Sequence, residues 1–154
     1  MINYNFLIKP DINEGELIKY KIIEKLNINN THLLHQIEMT FSELIENAIK
    51  YSDKNINNNI EVLFEYNGFI KITVSNYIEE EQNIKNLIQI IEKIKHINKK
   101  DNLYFKRIQE IIEREKHGES QMGLYRIFYE GEFDLDYKIE YSINKITIIA
   151  TKNY

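Results

Sequence analysis

The chain of 154 residues contains no cysteine and a single proline, Pro10. Without thiols it can form neither a disulfide scaffold nor a thiolate metal site, and a reducing compartment is compatible with it. Five glycines leave little room for a flexible tether, and no repeat, heptad run or low-complexity linker stands out. No apolar run approaches the roughly 18 residues that a membrane-spanning helix needs. The opening "MINYNFLIKPDINEGE" lacks the basic flank, apolar stretch and cleavage site of a secretory leader, so a cytoplasmic protein is expected. Positive charge is not in excess either. A formal net charge of -4 argues against broad attraction to nucleic acid or anionic lipid. Walker A, Rossmann and Gly-x-Ser-x-Gly fingerprints are absent, and the four histidines have no zinc-like spacing.

What is present suits one folded unit over residues 1–154, with 43% apolar and 29% charged residues. "INYNFLI" (2–8) reads as a short strand, closed by Pro10 and the turn-like "PDINEG". In "ELIKYKIIEKLN", Leu17, Tyr20, Ile23 and Leu26 recur every three residues and predict a first helix with that apolar stripe. The second helix has the clearest pattern. With Asn30 or Thr31 as its cap, Ile37, Phe41, Leu44 and Ala48 fall at spacings of four, three and four, and the stripe runs to about Tyr51. The period then changes to two. Ile60, Val62 and Phe64, then Ile70, Ile72 and Val74, alternate on either side of Asn67-Gly68, which predicts a β-hairpin. Helical patterns from Glu79 to about His96 and over "LYFKRIQEIIEREK" form an insertion at about 77–118. "MGLYRIFYEG" predicts a short helix ended by Gly131, and the last segment a second hairpin with its tip near Asn144. The fold class that buries this order most simply is α/β (α+β): a two-layer sandwich, with a mixed, mostly antiparallel sheet and helices on one face.

The second helix carries another stripe. In "SELIENAIKYSDKN", Glu43, Asn47 and Lys50 lie together on one stripe beside the apolar face. Mg2+ prefers oxygen ligands and keeps several waters, so an Asn amide oxygen can hold it beside nucleotide phosphates. A carboxylate one turn earlier can orient or deprotonate a nucleophile, and a lysine one turn later can meet phosphate charge. The plainer alternative is an i,i+4 pair of Glu46 with Lys50 on a solvated face, with no task for Asn47.

"ELIENAIKYS" resembles the N box of the GHKL superfamily, which holds gyrase, heat-shock chaperone, histidine kinase and mismatch-repair ATPases. There a Glu-x-x-x-Asn pair sits on a helix in the nucleotide site. The resemblance runs from about Thr31 to Thr151, through the order of N-box helix, hairpin, helical lid, glycine box, short helix and final hairpin of the Bergerat fold. It implies ATP and Mg2+ as cofactors, Glu43 as general base, Asn47 as Mg2+ ligand and Lys50 as a phosphate contact. The family's first glycine box begins with an Asp that accepts from the adenine amino group. Here Asn76 takes that place and no glycine follows it; an Asn carbonyl accepts the same hydrogen bond without the charge. In the second box, "GESQMGLYRI" keeps Gly123 and Leu124 and has Gly118 upstream, but Gln121 stands at an expected glycine. Backbone N–H groups there would meet phosphates, whereas Gly118 also reads as the cap of the preceding helix. Arg126 reads as the partner of an acid in preference to a phosphate contact.

The lid together with "GLYRIFYEGEFDLDYKIE" looks most like small stand-alone proteins related to the SiaB-type protein kinases and, more distantly, the anti-sigma-factor serine kinases. That likeness implies an ATP-binding regulatory domain of bacterial signalling that phosphorylates a serine or threonine on a regulatory protein partner, a phosphoacceptor or an anti-sigma-antagonist-like protein. The alternative is a non-catalytic interaction module, a pseudo-ATPase that uses its lid helices as a partner surface. A homodimer stays open, and no membrane partner is expected. The basic run "KIKHINKKDNLYFKR" is flanked by acidic segments, so nucleic acid is not the expected partner. Glu130, Glu132, Asp134 and Asp136 lack calcium-loop spacing and read as a solvated turn. His32 and His35 read as polar surface residues of the N-box helix.

Overall fold

The structure, a computed structural model, describes residues 1–55, 58–97, 110 and 122–154. In chain order the elements are β1 (Ile2–Ile8), α1 (Ile12–Lys25), α2 (Thr31–Tyr51), β2 (Ile60–Tyr66), β3 (Phe69–Tyr77), α3 (Glu81–Lys95), α4 (Met122–Tyr129), β4 (Asp134–Glu140) and β5 (Lys145–Asn153). The strands form one sheet in the order β1-β2-β3-β5-β4.

Every pairing among these strands is antiparallel, which corrects the expectation of a mixed sheet. The connections explain it. Two hairpins join β2 to β3 and β4 to β5, and an antiparallel partner is what a tight turn produces. Between β1 and β2 the chain passes through two helices, α1 and α2, so it re-enters the sheet running the opposite way. Gly68 supplies the positive φ of 67° that the first hairpin turn needs, and Asn144 at φ 49° does the same after the 3-10 turn Tyr141–Ile143 of the second.

Alternation along the strands makes two unlike faces. Ile60, Val62 and Phe64 of β2, Ile70, Ile72 and Val74 of β3, and Ile146, Ile148 and Ala150 of β5 are all buried. Asn3, Asn5, Glu61, Asp134, Asp136 and Lys138 on the reverse face are exposed. The buried face joins α1, α2, α3 and α4 in one hydrophobic core, giving an α+β arrangement of two layers with helices packed against an antiparallel sheet. Burying each such aliphatic side chain contributes about 1.5–3 kcal/mol.

Helix α2 follows its apolar pattern: Ile37, Phe41, Leu44 and Ala48 are buried, and the Asn30 side chain caps the first turn by accepting from the Leu33 N–H at 3.1 Å. Helix α1 does not. It begins at Ile12, inside the segment read as a turn, because Asp11 caps it by accepting from the Asn13 N–H at 2.7 Å. Its inward residues are Gly15, Ile18 and Ile22, while Leu17 and Tyr20 are exposed. The physical reason is angular. A strict three-residue repeat slips about 60° per step around a 3.6-residue helix, so four such positions cannot share one face. Gly15 instead lets α1 press on α2, since a Cβ there would stand 2.5 Å from the Ile45 side chain.

Of the insertion, α3 appears as expected, with Ile84, Leu87, Ile91 and Ile94 in the core. The helix expected over 103–116 lies, apart from Glu110, outside the described residues, as do Gly118 and Gln121. Among the described residues no helix is long and apolar enough to cross a membrane.

Candidate functional site

Glu43, Asn47 and Lys50 line one cavity with Gly123 and Arg126, where α4 lies across the C-terminal half of α2. The stripe is therefore covered by a second helix. Gly123 is what allows the approach: a Cβ at that position would overlap the Glu43 carboxylate and come within 3.5 Å of the Asn47 amide nitrogen. The cavity holds about 190 Å³. Ligand pockets usually hold roughly 300–1,000 Å³, so this one suits a phosphate-sized group. A larger cleft of about 340 Å³ adjoins it on the α1 side, lined by Lys19, His35 and Ser42, and the two share Glu43, Glu46 and Arg126.

Asn47 is 7% exposed, and its side-chain Nδ2 is buried without a hydrogen-bond partner. A buried amide donor left unpaired costs about 1–3 kcal/mol. Nothing in the packing of α2 requires an amide there: Asn47 lies about 60° around the helix from Leu44, at the edge of the apolar face. Lys50 is exposed, with its ammonium 5.4 Å from the centre of the Tyr51 ring. No Glu46–Lys50 ion pair forms among the described residues, so the plain i,i+4 reading does not account for the lysine.

Glu43 is not a free carboxylate. Arg126 Nη1 donates to its Oε1, and the same guanidinium donates through Nε and Nη2 to Glu130 at 3.2–3.4 Å. Burial pushes the Glu43 carboxyl above its ordinary value, Arg126 pulls it back, and the neighbouring charges of Glu46 and Glu130 raise it again. On Arg126 burial works against the charge, but the bonds and charges of Glu130 and Glu43 prevail and hold the guanidinium charged more firmly than usual. The expectation that Arg126 pairs with an acid is met, and the acid is the candidate base itself. That contact joins residues 83 apart, which no local spacing could have announced.

The remaining candidates separate. Asn76 is buried at the end of β3 and does not line the cavity; its Nδ2 donates to the carbonyls of Ala48 at 3.3 Å and Tyr77 at 3.4 Å. It thus backs onto α2 one residue beyond Asn47. Leu124 is 0% exposed and belongs to the core, which leaves only its backbone to face a ligand. Gly118 lies outside the described residues. The acids after α4 go to cations: Glu132 to Lys152 at 2.7 Å and Asp136 to Lys95 at 2.9 Å. Among the described residues no group of three or more His, Asp or Glu is placed to hold a metal ion.

No protein-family model matches the chain, and no curated protein matches it either.

Proposed function

We propose that the chain is an ATP-binding regulatory domain with the Bergerat arrangement of GHKL proteins, taking Mg·ATP against α2 and passing its γ-phosphate to a serine or threonine of a partner protein. One observation carries this reading: Asn47, a buried amide with an unpartnered edge, faces a cavity one helical turn from a carboxylate whose proton affinity burial has raised. Unpaired buried polar groups and perturbed acids gathered in one cleft mark a ligand site. The residues fit the cofactor. Asn47 stands in the cavity wall, and an amide oxygen is a ligand type that Mg2+ accepts. Lys50 supplies an exposed cation on the same wall. When bound, Mg·ATP supplies the transferable phosphoryl group and neutralises its charge. Glu43 accepts the proton of the acceptor hydroxyl at the oxygen that Arg126 now holds. The helices packed on one side of the sheet and the chain order from α2 through the hairpin to α4 and the last hairpin support the Bergerat reading.

A second reading has its own support. Arg126 occupies the candidate base and the cavity is small, as suits a non-catalytic module of the same architecture that binds partners without turning over nucleotide. Calorimetry with Mg·ATP separates them first. Binding that Asn47→Ala removes, in a protein that still melts cooperatively, supports the nucleotide site. Equal affinity in the two proteins would remove Asn47 from it. Labelled ATP incubated with co-purified proteins then decides transfer: label on a partner serine supports the kinase, and a stable unlabelled complex supports the module.

A further inference from the structure

The Arg126 guanidinium is gripped from two sides, and the grips are unequal. Glu130 stands four residues away at the end of the same helix, so its hold on Nε and Nη2 does not depend on how α2 and α4 pack. Glu43 reaches Nη1 from across the interhelical seam. Both Glu43 and Arg126 stand in the wall between the Asn47 cavity and the larger cleft toward α1.

We propose that Arg126 is a polyphosphate contact of this site and that its pair with Glu43 is the ligand-free arrangement: an entering polyphosphate takes the Nη1 edge, Glu130 keeps the Nε edge, and the Glu43 carboxylate is released. The proposal rests on the nucleotide reading above and adds to it the residue that couples ligand entry to the base.

Three features carry it. A guanidinium has five N–H donors in a planar fork, so Arg126 can hold one carboxylate bidentately and still present donors to a phosphate. Among the described residues that line the cavity, Lys50 is the only other cation, and the acids Glu43 and Glu46 face it. A polyphosphate set beside those acids with Lys50 alone would meet more repulsion than attraction. Lastly, the direction of the proton affinities favours a coupled motion. The Arg126 charge lowers the proton affinity of Glu43 against the pull of burial, so moving that charge away makes the carboxylate a stronger base. Proton acceptors work best when their affinity approaches the operating pH. In the closed pair Glu43 is both blocked and weakened; when the guanidinium turns toward phosphate, both restraints end together. The same rotation takes one wall from between the two clefts, whose combined space reaches the range of nucleotide-sized ligands.

The test titrates Mg·ATP and, without metal, inorganic triphosphate into the wild-type protein, Arg126→Gln and Asn47→Ala. Arg126→Gln is expected to lose at least tenfold in affinity for both ligands. Asn47→Ala is expected to lose Mg·ATP while keeping most of its affinity for metal-free triphosphate. Undiminished binding of both by Arg126→Gln overturns the proposal and leaves the nucleotide site standing. A wild-type protein that binds triphosphate through Arg126 but no Mg·ATP overturns the nucleotide reading alone, and one that binds neither overturns both. Should Arg126→Gln fail to fold, the side-chain 15N signals of Arg126 in the wild type decide: they shift on adding triphosphate if the guanidinium changes partner, and signals that stay fixed at saturation refute it.

Discussion

Carboxylates meet cations at two seams of this molecule. At the edge of the sheet, Asp136 of β4 takes Lys95 of α3, and Glu132, just before β4, takes Lys152 of β5. Those acids are exposed, and the lysine hydrogen bonds hold both below the ordinary carboxylate range. Between α2 and α4, Glu43 also has a cation against it, yet burial drives its carboxyl the other way. Beside it the Asn47 amide nitrogen has no partner. The edge pairs leave each acid satisfied in water, where a pair adds little and costs little. The inner seam keeps a half-buried acid and, beside it, a buried amide donor left unpaired, at a cost of about 1–3 kcal/mol for the donor. Groups retained at such a cost are the ones to examine for ligand chemistry.

The inner seam differs most from the edge at Asn47. Asn47→Ala should lower Mg·ATP affinity at least a hundredfold, while stability stays level or rises by about 1 kcal/mol as the unpaired amide is removed. Calorimetry and urea denaturation together check this. A destabilised variant with intact affinity would make Asn47 a structural residue like those at the edge.

Two glycines near the inner seam differ in what surrounds them. A Cβ at Gly131 would stand 2.6 Å from the Ile127 backbone carbonyl, which cannot step aside, and 2.6 Å from Thr40 Oγ1. Gly131→Ala should therefore cost about 2–3 kcal/mol. At Gly123 the obstacle is the mobile end of the Glu43 side chain, so Gly123→Ala should cost about 1 kcal/mol or less but push Glu43 off Arg126. Equal losses in denaturation midpoint for the two would show that the Glu43 carboxylate is as immovable as the backbone.

Titration should run in opposite directions at the two seams. Glu43, raised in the folded state, favours folding at low pH, and that contribution is lost as pH rises through its folded value. Asp136 and Glu132, lowered in the folded state, stabilise above the ordinary carboxylate range, and their contribution is lost as pH falls through their folded values. Carboxyl 13C NMR should find Glu43 titrating above Glu132 and Asp136, and higher still in Arg126→Gln. A Glu43 midpoint below theirs would make the Arg126 pair dominant over burial. The smallest effect belongs to Glu132→Gln, which keeps an acceptor for Lys152 and should change stability by less than about 1 kcal/mol; a larger loss in thermal melting would move this edge pair into the class of the inner one.

Much of the fold was legible because its signals are local. Hairpin turns at Asn67-Gly68 and Asn144, the alternating strands and the 4-3-4 spacing of α2 each arise from residues within one element. Local reading failed at α1, where exposed Leu17 and Tyr20 imitated an inward stripe and Gly15 looked like a breaker when it is a packing contact. At the site, the shared stripe of Glu43, Asn47 and Lys50 followed from helix geometry, and so did the placing of Asn76 at a strand end. The partner of Glu43 did not follow, since a guanidinium 83 residues away can be assigned only once α4 is laid on α2.

Among the described residues, sequence alone determined most of the elements, their order and the one helical face on which an acid, an amide and an ammonium meet, because these depend on periods of two and 3.6 residues. Tertiary structure decided what those groups are worth. The close approach at Gly123 half-buries Glu43 and covers Asn47, brings Arg126 onto the acid and leaves the amide nitrogen unpaired, and burial and proximity across the chain are what set a proton affinity or leave a donor without an acceptor.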